Sequence, residues 1–328
     1  MKNILVIRFS SLGDLVTQDI AYRAFRYFYP KAHIVFLTSS TGRSLYSESN
    51  YFDEYIVYDR TNFINTIKLL GKYEFDIVFN SQCSSTSYFL EFFIKSALTL
   101  HQSGEWWQKL LRIKTKTKWH PELLEISGIE KIKINSYMRI QENSIIHLPH
   151  LQKKFEWKDN NKKTIAVAIG ASQRWESKKW GDERYLELIN MLTAENHIIL
   201  LIGSKSEIDS GNKIESQNNA VINLIDKTSL SELKSVLAAV DLLVGNDSGP
   251  AHLAAGVGTN TLTLFGSTDV KHCVKFGGYA GSHEYLVATP KLKCQPCYKP
   301  RCPTKHECME AISIEQTAQT IQYLLERK

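Results

Sequence analysis

Asp241-Leu242-Leu243-Val244-Gly245-Asn246-Asp247-Ser248-Gly249-Pro250-Ala251-His252-Leu253-Ala254-Ala255 is the stretch whose reading decides the fold. Its apolar start, Asp241–Gly245, suits a strand covered on both faces. Ser248 and Gly249 then allow close backbone approach, Pro250 suits the opening of a helix, and a helix is expected over Pro250–Gly256. A strand that feeds directly into a helix through such a turn is the unit of a parallel, helix-covered sheet. The first helical N–H groups lack intrahelical partners, so the turn is also a ready seat for an anion such as a diphosphate.

The same alternation extends outward in both directions. Thr164–Ile169, Ile198–Ile202, Val221–Ile225 and Thr261–Phe265 read as strands, with helices over Glu183–Ala194 and Ser231–Ala239. Ser313–Arg327 reads as a last helix, with Ser313 capping and Gln316 three residues on. In the first half the expected strands are Asn3–Arg8, His33–Thr38, Glu54–Tyr58 and Phe75–Asn80. The expected helices are Leu15–Phe28, Thr41–Ser47, Phe63–Gly71 and an aromatic-rich one over Ser84–Leu100. A polar, turn-prone stretch, Phe155–Lys163, separates the halves. The reading is α/β throughout, with two doubly wound parallel-sheet domains, residues 1–158 and 159–328.

Length agrees, since 328 residues exceed one ordinary core and suit two. Hydrophobic residues at 43% and charged residues at 23% are globular values. The opening apolar run, Ile4–Ile7, is too short for a signal-peptide core, and no 18-residue apolar run is present, so a cytoplasmic protein is expected. The net charge of +6 attracts anions without choosing among them.

Ligands of open parallel sheets bind beyond the carboxyl ends of strands, which directs attention to three turns. The first is Arg8-Phe9-Ser10-Ser11-Leu12-Gly13-Asp14, with one glycine where a dinucleotide fingerprint needs three; an NAD-type oxidoreductase is disfavoured. Asp14 reads as a helix-start acid or as a general base. The second is Gly170-Ala171-Ser172-Gln173-Arg174-Trp175-Glu176-Ser177-Lys178-Lys179-Trp180, whose cations suit a departing diphosphate. No Asp-x-Asp metal signature occurs, and no cofactor or catalytic metal is expected. The third is the anion seat quoted first.

Taken together, Ser10-Ser11-Leu12-Gly13-Asp14, the Gly170–Trp180 stretch, Asn246–Ala255 and Leu264-Phe265-Gly266-Ser267-Thr268-Asp269 resemble the signatures of glycosyltransferase family 9, the ADP-heptose:lipopolysaccharide heptosyltransferases. The resemblance implies a GT-B architecture of two facing Rossmann-like domains, the N-terminal one binding acceptor and the C-terminal one donor, with the last helix packing back on the N-terminal domain. It implies Asp14 as catalytic base and Ser10, Ser11 and Gly13 beside the acceptor. Ser172, Lys178, Asn246, Asp247, Ser248, Gly249 and His252 fall on the donor. The reaction implied is inverting transfer of heptose from ADP-heptose to Kdo, heptose or another core sugar on lipid A. A monomer is the default expectation for a two-domain chain, with peripheral contact at the inner membrane and no nucleic-acid partner. Two positions depart from the pattern. Asn223 stands where an acid contacts ribose, and Gly181 where proline commonly follows the tryptophan.

Phe89, Phe92 and Phe93, and the segment Trp106–His120 with Lys109, Arg112, Lys114, Lys116 and Lys118, fit a surface resting on anionic headgroups or an ordinary solvated basic face. Cys294, Cys297, Cys302 and Cys308 have a spacing compatible with a structural zinc or iron ion, or with free thiols. Two rival functions share this outline: a nucleotide-sugar epimerase, which needs no acceptor, and an inactive membrane-surface binding module.

Overall fold

The computed structural model describes residues 1–103, 120–141, 155–159, 161–270 and 280–327. Contacts divide the chain into two units, residues 1–142 and 143–328, a different place from the expected 158/159 boundary. The expected linker belongs to the second unit: Phe155 and Trp157 stack on each other at 4.8 Å, and Lys158 Nζ donates to the Ala239 carbonyl at 3.1 Å.

In the first unit β1 (Asn3–Arg8), β2 (His33–Thr38), β3 (Glu54–Val57), β4 (Glu74–Asn80) and β5 (Lys95–His101) form one parallel sheet in the order β3-β2-β1-β4-β5. Residues 4 to 7 of β1 are wholly inaccessible, as helices on both faces require. The odd positions Leu5 and Ile7 join Val35, Leu37, Ile56, Val78 and Leu90 in one apolar layer. Helix Phe63–Leu70 supplies Leu70 to the same layer, with Phe63, Ile67 and Leu69 packed against it. In the second unit β6 (Thr164–Ala168), β7 (Ile198–Ile202), β8 (Val221–Asn223), β9 (Leu242–Asn246), β10 (Asn260–Phe265) and β11 (His283–Val287) are parallel in the order β11-β10-β9-β6-β7-β8.

Serines start many of the helices. Ser39, Ser84, Ser229 and Ser313 each accept a backbone N–H from the first turn of the helix that follows, giving partners to donors that the helix itself cannot satisfy. The first helix differs from expectation. It begins at Leu12, because Ser11 and Asp14 close a capping pair there, and it is two segments, Leu12–Thr17 and Asp19–Phe28.

The aromatic helix expected over Ser84–Leu100 stops at Glu91, and β5 follows. Phe92, Phe93 and Ile94 turn the chain through bonds to the carbonyls of Phe89, Leu90 and Glu91. This edge strand buries only Leu100 and His101, a pattern too short to separate strand from helix. β11 and helix Ile208–Gln217 also lie outside the expectations. The final helix, Ile314–Glu326, places its buried Ile314, Ile321 and Leu324 in the second unit's core beside Tyr185, Leu188, Ile189 and Leu192, where a return to the first domain was expected.

Candidate functional site

In each sheet the chain leaves two neighbouring strands in opposite lateral directions, and ligand crevices of doubly wound sheets open there. In the first unit that switch point lies between β1 and β4, in the second between β6 and β9. All three turns singled out from the sequence sit at these two places.

At the first, β1 ends in Arg8, whose side chain is nearly buried. Arg8 Nη1 donates to the Ser81 carbonyl at the end of β4, and Nη2 pairs with Asp14 Oδ2 at 2.8 Å. Ser11 adds two donors to the same oxygen, from its N at 2.9 Å and its Oγ at 3.1 Å. Asp14 Oδ2 is therefore saturated. Oδ1 has no hydrogen-bond partner among the described residues, and the side chain is 53% exposed. An oriented carboxylate with one open oxygen can accept a proton from a hydroxyl. Gln82 Oε1 fixes the rest of the turn by accepting from Phe9 N (2.9 Å) and Ser10 N (3.3 Å). Of the residues expected beside an acceptor, Ser10 is exposed, Ser11 is engaged with Asp14, and Gly13 is buried inside the helix.

At the second, Asp247 is 3% exposed and is the hub. Lys178 Nζ and Thr268 Oγ1 both donate to its Oδ2 at 2.6 Å, and His252 Nε2 lies 3.4 Å from its Oδ1. Burial pushes the Asp247 carboxyl up, but the hydrogen bond from His252 and the Lys178 charge outweigh it and hold the group well below the usual carboxylate range. A compensated carboxylate leaves room for an anion nearby, where a bare one would repel it. Lys178 also stands over the Trp175 ring at 5.1 Å. Ser248 starts helix Gly249–Gly256, which places Pro250 second in the helix, one position later than expected. Its Oγ is buried without a hydrogen-bond partner among the described residues, an orphan of the kind that ligands satisfy. Gly249 is half-buried at the helix start, and Ser172 is exposed at the head of the β6 turn.

Asn246 has another duty. Its Nδ2 donates to the carbonyls of Ile169 (2.9 Å) and Gly170 (3.1 Å), while Oδ1 accepts from Trp180 N (3.1 Å) and Tyr185 OH (3.0 Å). Its hydrogen-bonding capacity is filled internally, so it braces the β6 turn against β9 and has nothing left for a donor. Asn223 is similarly tied, donating to Glu215 Oε2 at 2.9 Å and accepting from Ile225 N at 3.1 Å. Gly181 has φ of +109°, a conformation that proline cannot adopt, which accounts for the departure there.

The cysteine-rich loop serves the same turns. Ser177 Oγ donates to the Lys299 carbonyl (2.5 Å) and lies 2.8 Å from Ser267 Oγ, whose hydroxyl can donate to it, Tyr298 N donates to the Ser267 carbonyl (2.9 Å), and Gln295 Nε2 donates to the Gly266 carbonyl (2.9 Å). Cys294, Cys297, Cys302 and Cys308 are free thiols, and no metal-binding group of His, Cys, Asp or Glu occurs among the described residues. Sequence reading passed over Arg8, Gln82 and Thr268 as site residues. Arg8 and Thr268 lie within quoted stretches, whereas Gln82 is marked only by its place just after the expected strand Phe75–Asn80. The basic segment Trp106–Trp119 and Cys273 lie outside the described residues, and no described helix is long and apolar enough to cross a membrane.

Two Rossmann-like units, one holding an oriented carboxylate at its switch point and the other a compensated anion seat, define a glycosyl-transferring enzyme of GT-B type. The chain belongs to glycosyltransferase family 9 (heptosyltransferase), whose family model matches residues 64–307. It is 26% identical over 332 residues to lipooligosaccharide heptosyltransferase 2 of Campylobacter jejuni serotype O:6, a match covering 95% of this chain and 96% of that one. To the serotype O:2 protein of the same name it is 31% identical over 212 residues, 60% of this chain and 65% of that one. In fold it is similar to the solved structure of E. coli ADP-heptose lps heptosyltransferase II, with a TM-score of 0.73 at 20% identity over 99% of this chain and 98% of that one. Family membership sets aside the epimerase and the inactive module.

Proposed function

We propose that this heptosyltransferase moves heptose from ADP-heptose to an inner-core lipopolysaccharide acceptor, Kdo or heptose, with inversion at the anomeric carbon. The acceptor hydroxyl attacks that carbon and forms the new C–O bond. The bond to the diphosphate oxygen breaks with its electron pair on the leaving ADP, and the hydroxyl proton goes to Asp14 Oδ1. Arg8 and Ser11 hold the carboxylate's other oxygen so that Oδ1 faces outward. Lys178, Ser248, His252 and the helix start at Gly249 receive the diphosphate, and Asp247 with Ser172 contacts donor hydroxyls. Stabilising the departing charge with a fixed cation and backbone N–H groups removes the need for a metal ion.

The observation that carries this reading is the Lys178–Asp247–Thr268–His252 cluster beside the orphaned Ser248 hydroxyl, at the switch point where a nucleotide would enter. The enzyme works as a monomer in the cytoplasm, at the inner-membrane surface where its lipid-linked acceptor resides. The test is ADP release from ADP-heptose with and without a Kdo-lipid A acceptor. Acceptor-dependent release supports transfer, whereas conversion of the donor without acceptor would return the epimerase reading. Asp14→Ala should abolish transfer and leave ADP affinity nearly unchanged.

A further inference from the structure

Three phenylalanines of the first unit are open to solvent: Phe89 at 51%, Phe92 at 67% and Phe93 at 41% exposure. They form one cluster with half-buried Phe63, at ring-centroid distances of 5.5 Å (Phe63–Phe89), 6.3 Å (Phe63–Phe93), 6.5 Å (Phe89–Phe92) and 5.4 Å (Phe89–Phe93). Helices Phe63–Leu70 and Ser85–Glu91 present Phe63 and Phe89, and the turn after the second helix presents Phe92 and Phe93. Phe9, in the Asp14 turn, packs on the same apolar layer as Phe63, with its ring tilted against Tyr58 at 4.7 Å.

The segment that carries Phe63 is basic. Residues 60 to 73 include Arg60, Lys68 and Lys72, all exposed, and no acid. Asp59, just before them, caps its own turn by accepting from Thr61 N at 2.8 Å. Glu91, the acid of the second helix, turns inward to His101 Nε2 at 2.9 Å and to Asn80. Lys95 and Glu74 pair at 3.2 Å.

We infer that this phenylalanine face seats the first unit on an anionic phospholipid bilayer, which rests on the lipid-linked acceptor proposed above. The exposed rings offer on the order of 300 Å² of apolar surface. That is well short of the roughly 800 Å² per partner of a stable protein interface. Single rings entering the headgroup boundary, with lysine and arginine beside anionic headgroups, need no such area. The seat would hold the Asp14 turn at the level where a membrane-resident sugar is offered.

The test is co-sedimentation with vesicles of phosphatidylcholine and phosphatidylglycerol, against phosphatidylcholine alone. The parent should bind the mixed vesicles more strongly and lose binding with salt. Phe92→Glu with Phe89→Ser, and separately Arg60→Glu with Lys68→Glu, should weaken binding by roughly tenfold or more, while Phe92→Leu binds like the parent. Thermal unfolding checks that each variant is folded, and turnover of a delipidated, water-soluble acceptor should stay unchanged. The inference is overturned if the phenylalanine variant sediments like the parent. It is equally overturned if the folded variant loses soluble-acceptor turnover, or if it changes oligomeric state. Patch-dependent vesicle binding by a chain that transfers sugar to no acceptor would sink the proposed function and leave the seat standing.

Discussion

Replacing Lys178 by Met removes a cation with two separable roles. In the folded protein its Nζ lies 2.6 Å from an Asp247 carboxylate that is 3% exposed. Breaking a buried pair costs about 3–5 kcal/mol, because the remaining charge is left without its partner. Thr268 Oγ1 and His252 still face Asp247, so the loss of unfolding free energy should fall at the low end, about 3 kcal/mol. In turnover the same ammonium stabilises the departing diphosphate, and losing such a group lowers kcat by roughly 10²–10³. The double variant Lys178→Met/Asp247→Asn separates the roles. It no longer buries an uncompensated charge, so stability should return towards the parent while kcat stays low. Denaturant unfolding and steady-state ADP release on all three proteins provide the readings. A Lys178→Met enzyme that keeps kcat/KM within about threefold would refute the assignment of Lys178 to the leaving group.

Arg8→Met should lower kcat by about 10-fold or more with little change in KM for donor, because Asp14 loses the cation among the groups that orient it; Arg8→Lys should recover part of the rate. Gly245→Ala should destabilise the second unit by about 1–3 kcal/mol on thermal unfolding, since the added Cβ would meet Ala168 Cβ at 2.7 Å and its carbonyl oxygen at 2.8 Å. Asp247 has a depressed folded pKa, so its contribution to stability is complete above the unfolded carboxyl value of about 3.9 and fades as pH falls through the lower folded value. Acid titration of unfolding should accordingly show Asp247→Asn losing less stability per pH unit than the parent below that value, by a difference that approaches about 1.4 kcal/mol per unit once the pH is more than a unit below it.

The parts of the fold that were legible in the sequence are those where burial on both faces leaves a continuous apolar run. β1, β2, β7 and β10 fall within a residue of their expected bounds for this reason. Edge strands β5 and β11 were not legible, because half of each faces water and the pattern is short. The Asp14, Lys178 and Asp247 turns were legible because small, polar residues after a buried strand have few structural reasons to be there. What the sequence did not reveal was the division of labour among neighbours. Asn246 and Asp247 are adjacent and both polar, yet one is filled by backbone braces and the other gathers Lys178, Thr268 and His252. Only the register of β6 against β9 separates those roles, and Ala168 opposite Gly245 sets it. Arg8 reads from sequence as the end of a strand, and its hold on Asp14 emerges only once β1 lies beside β4.

The most direct test is mass and NMR analysis of the acceptor after incubation with ADP-heptose, for the parent and for Asp14→Asn. The parent should add a single heptose with its anomeric configuration inverted from that of the donor, and Asp14→Asn should add none while still binding ADP. An acceptor returned unmodified by the parent, or a retained anomeric configuration, would contradict the account.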